Sequence, residues 1–164
     1  MRKKNYKHPS ESIIIKTEVV CPNDTNPLGI LKGGRLVEWM DMAAAGCAQI
    51  HTGKICVTAA INHADFIKAA KTGDIISIKA RLTRVFTSSM EILVQAFARS
   101  VKNCKQLLIS EAYFTFVALD DEGNATKAIA VKPVSASEKK KFDDALFRKK
   151  NVSAVKRKTK REVV

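Results

Sequence analysis

Hydrophobic positions fall into two rhythms along the chain. Between Gly33 and His51, Leu36, Met40, Ala43, Cys47 and Ile50 recur at intervals of three and four, the spacing of one face of a helix. The rest of that circumference is not polar. It carries Ala44, Ala45, Gly46 and Ala48, so most of the helix is expected to lie against close neighbours. Gly33-Gly34 opens it and Thr52-Gly53 closes it; glycine is the common residue just past a helix. One carboxylate, Asp41, interrupts the apolar surface. Burying a charge costs several kcal/mol unless it is paired or used, and this conflict makes Asp41 the leading functional candidate.

Elsewhere the pattern is that of strands. Ser12 to Val20 is rich in β-branched residues. Lys54 to Asn62 is apolar at nearly every position, as in a strand covered on both faces. Ile75 to Phe86 alternates with period two, and Met90 to Val101 and Gln106 to Leu119 follow after short turns. Turn formers fill Cys21 to Pro27 and Asp120 to Asn124. Ala136 to Lys150 has the spacing of a short amphipathic helix with Phe142, Leu146 and Phe147. The predicted fold class is α+β: one long central helix wrapped by a curved antiparallel sheet of about five strands, the last three a meander. Residues 1–11 form a basic N-terminal arm, 12–135 the domain, and 136–164 a short helix and a basic, disordered tail.

The 164 residues carry 29 Lys and Arg against 16 Asp and Glu, a net +13. Most of that charge lies in the two ends, and residues 12–137 are near neutral. A basic domain would suggest nucleic acid; basic ends on a near-neutral domain do not, so no specific nucleic-acid partner is expected. The four cysteines, Cys21, Cys47, Cys56 and Cys104, form no CxxC pair, which argues against zinc and fits reduced thiols in a cytoplasm. No apolar run approaches the ~20 residues of a membrane span, and the N-terminus lacks an apolar signal core.

Short motifs then narrow the class. Asp24-Thr25-Asn26 is followed by Gly29, Gly33-Gly34, Leu36 and Met40-Asp41. Further on come Val57-Thr58, Asp65-Phe66-Ile67-Lys68 with Gly73-Asp74, Arg84-Val85 with Ser88-Ser89, and Phe114-Thr115-Phe116-Val117-Ala118. In this order the pattern resembles the hotdog-fold acyl-CoA thioesterases, the YciA-like and cytosolic acyl-CoA hydrolase group. The resemblance implies a hotdog fold and hydrolysis of acyl-CoA to a free acid and coenzyme A. Ala69 stands where the family commonly has proline, and Phe86 where it has glycine.

The resemblance implies Asp41 as general base or nucleophile, with Asn26 from a facing subunit orienting water or carbonyl. Residues Gly33 and Gly34 place unpaired helix N-terminal amides where a carbonyl oxygen becomes an oxyanion. The amide of Gly34 is the predicted oxyanion donor, Gly33 and Thr58 are predicted to bind substrate, and the resemblance places contacts to coenzyme A at Arg84, Thr87, Ser88 and Ser89. No metal or other cofactor is implied, since coenzyme A enters as part of the substrate. A homodimer is the expected minimum unit, and the resemblance implies further assembly as a trimer of dimers. Two other readings exist. A dehydratase would need a histidine at the helix entry, where His51 and His63 do not lie. A non-catalytic acyl-CoA or lipid-binding module would need neither Asn26 nor Asp41.

Overall fold

Apolar periodicity and the turn chemistry between elements determine the architecture. The computed structural model describes residues 4–162; the side chains of residues 103–104 and 152–162 lie outside the description. In chain order the elements are β1 (Tyr6–Lys7), β2 (Ile14–Val19), α1 (Gly33–Thr52), β3 (Cys56–Phe66), β4 (Ile75–Val85), β5 (Ser89–Ser100), β6 (Asn103–Ala118), β7 (Ala130–Val131) and α2 (Ala136–Glu162). Five strands form one antiparallel sheet in the order β2-β4-β5-β6-β3, so β4, β5 and β6 are the expected meander. Helix α1 packs across this sheet, which is the hotdog arrangement.

Helix α1 buries Leu36, Trp39, Met40, Ala43, Ala44, Cys47, Ala48 and His51. Gly53 ends it with φ +67°, a conformation open to glycine. The alanines admit the sheet closely, and the core against them is Ile76, Ile78, Leu82, Met90, Ile92, Phe114 and Phe116. Ile50 is not part of the buried stripe, at 49% exposure. His51 takes that place instead, because its ring finds partners there: the Ser12 hydroxyl at 3.1 Å from Nδ1 and the Ile129 carbonyl at 3.2 Å from Nε2. A carbonyl only accepts, so Nε2 carries the proton and Ser12 donates to Nδ1.

Three further expectations change. Strand β3 runs on to Phe66, and as an edge strand with most positions exposed it is not covered on both faces within one chain. The N-terminal arm pairs with the domain from Tyr6 onward, β1 lying parallel to β7, and Ser12 is buried. Helix α2 extends past Lys150 to Glu162, and its first half docks on the sheet face opposite α1. There Arg84 donates from Nη1 to the Phe142 carbonyl at 2.8 Å, Ala145 is fully buried, and Arg148 grips Glu91. Cys21, Cys47 and Cys56 are free thiols, and burial pushes the Cys47 thiol up to about 12.

Candidate functional site

Two groups of candidate residues lie at opposite ends of one stretch of α1. The first is the carboxylate of Asp41. It is half-buried rather than buried, and its Oδ1 accepts a hydrogen bond of 2.7 Å from the Thr58 hydroxyl on β3. The side chain that steadies Asp41 is thus Thr58, assigned above only to substrate binding. Oδ2 accepts from no protein atom among the described residues. Arg35, on the same helix, joins Asp24 at 2.9 Å and Glu38 at 2.8 Å and not Asp41.

The second group is the entry of α1. Lys32 caps the helix without a side-chain hydrogen bond, no acid lies in the first turn, and the first intrahelical bond runs from the Leu36 amide to the Lys32 carbonyl. The amides of Gly33 and Gly34 are therefore unpaired donors at the positive end of the helix dipole. A side chain on Gly34 would meet nothing within 4 Å. Gly33 lies beneath the Phe66 ring, whose Cε1 and Cζ come within 3.2 Å of where a Cβ would stand.

The loop before the helix is rigidly built. Asn26 Oδ1 accepts from the Leu28 and Ile30 amides at 3.0 and 3.1 Å, an Asx-type turn. Its Nδ2 donates to no protein atom among the described residues and remains free to donate. Asp24 ties this loop to α1: its carboxylate accepts from the Cys21 amide and from Arg35 Nε, and its carbonyl from the Lys32 amide. The Cys21 amide, with Arg35, holds the Asp24 carboxyl below its usual range. This structural role of Asp24 has no signature in the sequence, since an acid eleven residues before an arginine carries no periodic signal.

Gly33 and Asp41 are eight residues apart, about 12 Å along a helix rising ~1.5 Å per residue. One carbonyl cannot touch both in a single chain. The proposed coenzyme A contacts also lie apart from Asp41. Ser89 pairs with Val117 and Val117 with Val57, one row beyond Met90, Phe116 and Thr58. Alternate rows point to opposite faces, so Ser89 faces away from α1. Thr87, Ser88 and Ser89 close the β4–β5 turn, with their carbonyls accepting from Ala128, Ala118 and Phe86. Arg84 stacks its guanidinium 3.9 Å from the Phe142 ring centre. Beside Gly33 a cavity of about 330 Å³ opens between the loop, α1, the segment after β3, and β6. Among the described residues no three His, Cys, Asp or Glu converge on a metal position, and no helix is long and apolar enough to cross a membrane.

Comparison with known proteins bears on this geometry. The family profile of the thioesterase superfamily matches residues 28–105. A mouse protein, acyl-coenzyme A thioesterase 11, is 33% identical over 88% of the chain, which spans only 24% of that protein's length. An acyl-CoA hydrolase from Staphylococcus aureus, solved with butyryl coenzyme A, coenzyme A and coenzyme A disulfide, is 39% identical. Each chain is covered to 96%, with a TM-score of 0.89. That enzyme has also been solved with an asparagine, an aspartate and a threonine each changed to alanine. A hexameric acyl-CoA thioesterase is 32% identical over 89% of this chain and 94% of its own, with a TM-score of 0.86.

Proposed function

Because the chain belongs to the acyl-CoA hydrolases of the thioesterase superfamily, we propose that it cleaves acyl-CoA to a carboxylic acid and coenzyme A at a site completed by two copies. The observation that carries this reading is the separation of the two groups: an oriented carboxylate at Asp41 and unpaired amides at Gly33 and Gly34, about 12 Å apart on one helix. Strand β3 supplies the means to bring them together. It is an unpaired edge bearing exposed Val57, Ile61 and Phe66, and such an edge is a template for pairing with another chain. Antiparallel pairing of two copies about the middle of β3, near Asn62, sets Thr58 of the partner subunit across from Phe66. Asp41 of the partner subunit then faces Gly33 and Gly34 of the first chain.

In that arrangement the thioester carbonyl oxygen lies on the helix amides, which stabilise it as negative charge develops. Asp41 of the partner subunit, steadied through Oδ1, takes a proton from water on Oδ2. The water oxygen bonds to the carbonyl carbon, the tetrahedral intermediate collapses, and the C–S bond breaks. The thiolate of coenzyme A leaves and recovers the proton. Asn26, its oxygen engaged in the turn, uses Nδ2 to hold the water or the carbonyl. The asparagine, aspartate and threonine altered in the Staphylococcus aureus enzyme have the same spacing in its sequence as Asn26, Asp41 and Thr58 have here, which supports these roles. Arg84 and Thr87 to Ser89, at the far rim of the sheet, are left to contact coenzyme A held by a neighbouring subunit. The hexameric relative supports a trimer of dimers, and the free thiols support a reducing cytoplasm.

The test mixes two inactive proteins. Asn26→Ala and Asp41→Asn subunits, combined into verified heterodimers, leave one site with both defects and one with neither. Recovery of up to half the wild-type activity per heterodimer is expected. No recovery would contradict the shared site.

A further inference from the structure

We infer that the cavity beside Gly33 is the acyl-chain pocket, and that Phe66 sets which chains it admits: unsubstituted aliphatic acyl groups of about six to ten carbons. This rests on the proposed hydrolysis and adds the substrate class. The cavity adjoins the amide that would hold the carbonyl oxygen, so the first carbons of the acyl group enter it. Its walls are hydrocarbon: Leu31 and Leu36 on one side, Phe66, Ile67 and Ala70 on another, and Ile109 from β6. Leu31, Leu36, Ala70 and Ile109 are also buried, so this part of the wall is fixed by core packing.

The only charged side chain in the lining is that of Lys68, which is exposed and has no polar partner inside. A hydroxyl on the acyl group would lie against these hydrocarbon walls and be desolvated without compensation. The pocket therefore selects plain hydrocarbon. The concavity holds about 330 Å³ and is open on one side in the single chain, which at roughly 30 Å³ per water-sized group sets an upper bound of about ten such groups.

The Phe66 ring stands at the mouth. It lies 3.2 Å from the missing Cβ of Gly33 and is 57% exposed in the single chain, on the β3 edge that the proposed pairing sets across from Thr58 of the partner subunit, so its replacement leaves the core of each chain closed. Removing the ring joins the cavity to the space above Gly33; enlarging it narrows the entrance.

Thiol release from straight-chain acyl-CoA substrates of 2 to 14 carbons, and from 3-hydroxybutyryl-CoA, tests this in wild type, Phe66→Ala and Phe66→Trp. All three proteins are first matched for mass and melting temperature. Wild-type kcat/KM should rise by about fourfold per methylene up to a maximum between six and ten carbons. 3-Hydroxybutyryl-CoA should fall at least tenfold below butyryl-CoA. Phe66→Ala should move the maximum at least two carbons longer, and Phe66→Trp shorter. An unmoved maximum in both variants, or a wild-type maximum at acetyl-CoA, overturns the assignment while leaving hydrolysis intact. No thiol release from any substrate overturns the hydrolase reading and this inference with it.

Discussion

Replacing Arg148 by alanine should loosen α2 from the sheet. Arg148 donates to Glu91 through Nε at 2.9 Å and Nη2 at 2.8 Å, and its guanidinium lies 3.9 Å from the Tyr113 ring centre. The Glu91 side chain is only 6% exposed and that of Arg148 22%. Breaking a buried pair by removing one partner typically costs about 3–5 kcal/mol. The lower end applies here, because Arg148 is partly solvated and the Thr83 hydroxyl still donates to Glu91 at 2.6 Å. A loss of about 3 kcal/mol corresponds to a fall in melting temperature of about 6–12 °C for a chain of this size. Thermal unfolding at one fixed protein concentration measures it, since subunit association shifts apparent stability. Adding Glu91→Ala should cost less than the two single changes summed, by at least about 1 kcal/mol. Deleting residues 151–164 is the contrasting perturbation. The segment is too charged and too poor in apolar residues to sustain its own packing, and its loss should move the melting temperature by less than about 2 °C. An Arg148→Ala protein melting within 1 °C of wild type would refute the argument that this pair fastens α2.

Two further outcomes follow from buried polar groups. Burial holds the His51 imidazole below its usual pKa, with the nearby Lys7 acting in the same direction. The unfolded chain therefore binds the proton more readily, near pH 6.5, and stability present above that pH falls as the pH drops through 6.5 towards the folded-state value. Melting curves from pH 7.5 to 5 should show this slope, and His51→Gln should flatten it; an equal slope in both would count against His51 as its source. The Ser110 hydroxyl is buried and has no hydrogen-bond partner among the described residues, a state that costs about 1–3 kcal/mol. Ser110→Ala should thus leave urea stability unchanged or raise it by about 1 kcal/mol, and a loss above 1 kcal/mol would reveal a hidden partner.

What sequence made legible was periodic or compositional. The α1 stripe, the meander and the Gly33-Gly34 entry each repeat or punctuate at short range, and Asp41 stood out because it broke an apolar pattern. Features made by distant pairing were not legible. Thr58 reaches Asp41 only because β3 lies beside α1, and Asp24 reaches Arg35 only across the loop it organises. Ile50 and His51 both fit the end of a helical stripe, and long-range partners Ser12 and Ile129 decide between them. Docking of α2 depends on Arg148 meeting Glu91 and on Arg84 meeting Phe142, so an amphipathic pattern diluted by lysines gave little sign of it. The apolar run of Lys54 to Asn62 was read as covered, and a single chain leaves it exposed, which is the feature that points to a second copy.

The most direct test of the central claim is the rate of thiol release from acyl-CoA by wild type and by Asp41→Asn, each verified as folded and of the same oligomeric mass. The substitution keeps the size of the side chain and an acceptor for Thr58 but removes the base. A fall in kcat of at least about 100-fold, with KM changed by less than about threefold, is the predicted result. Near-wild-type turnover by the pure variant would contradict it.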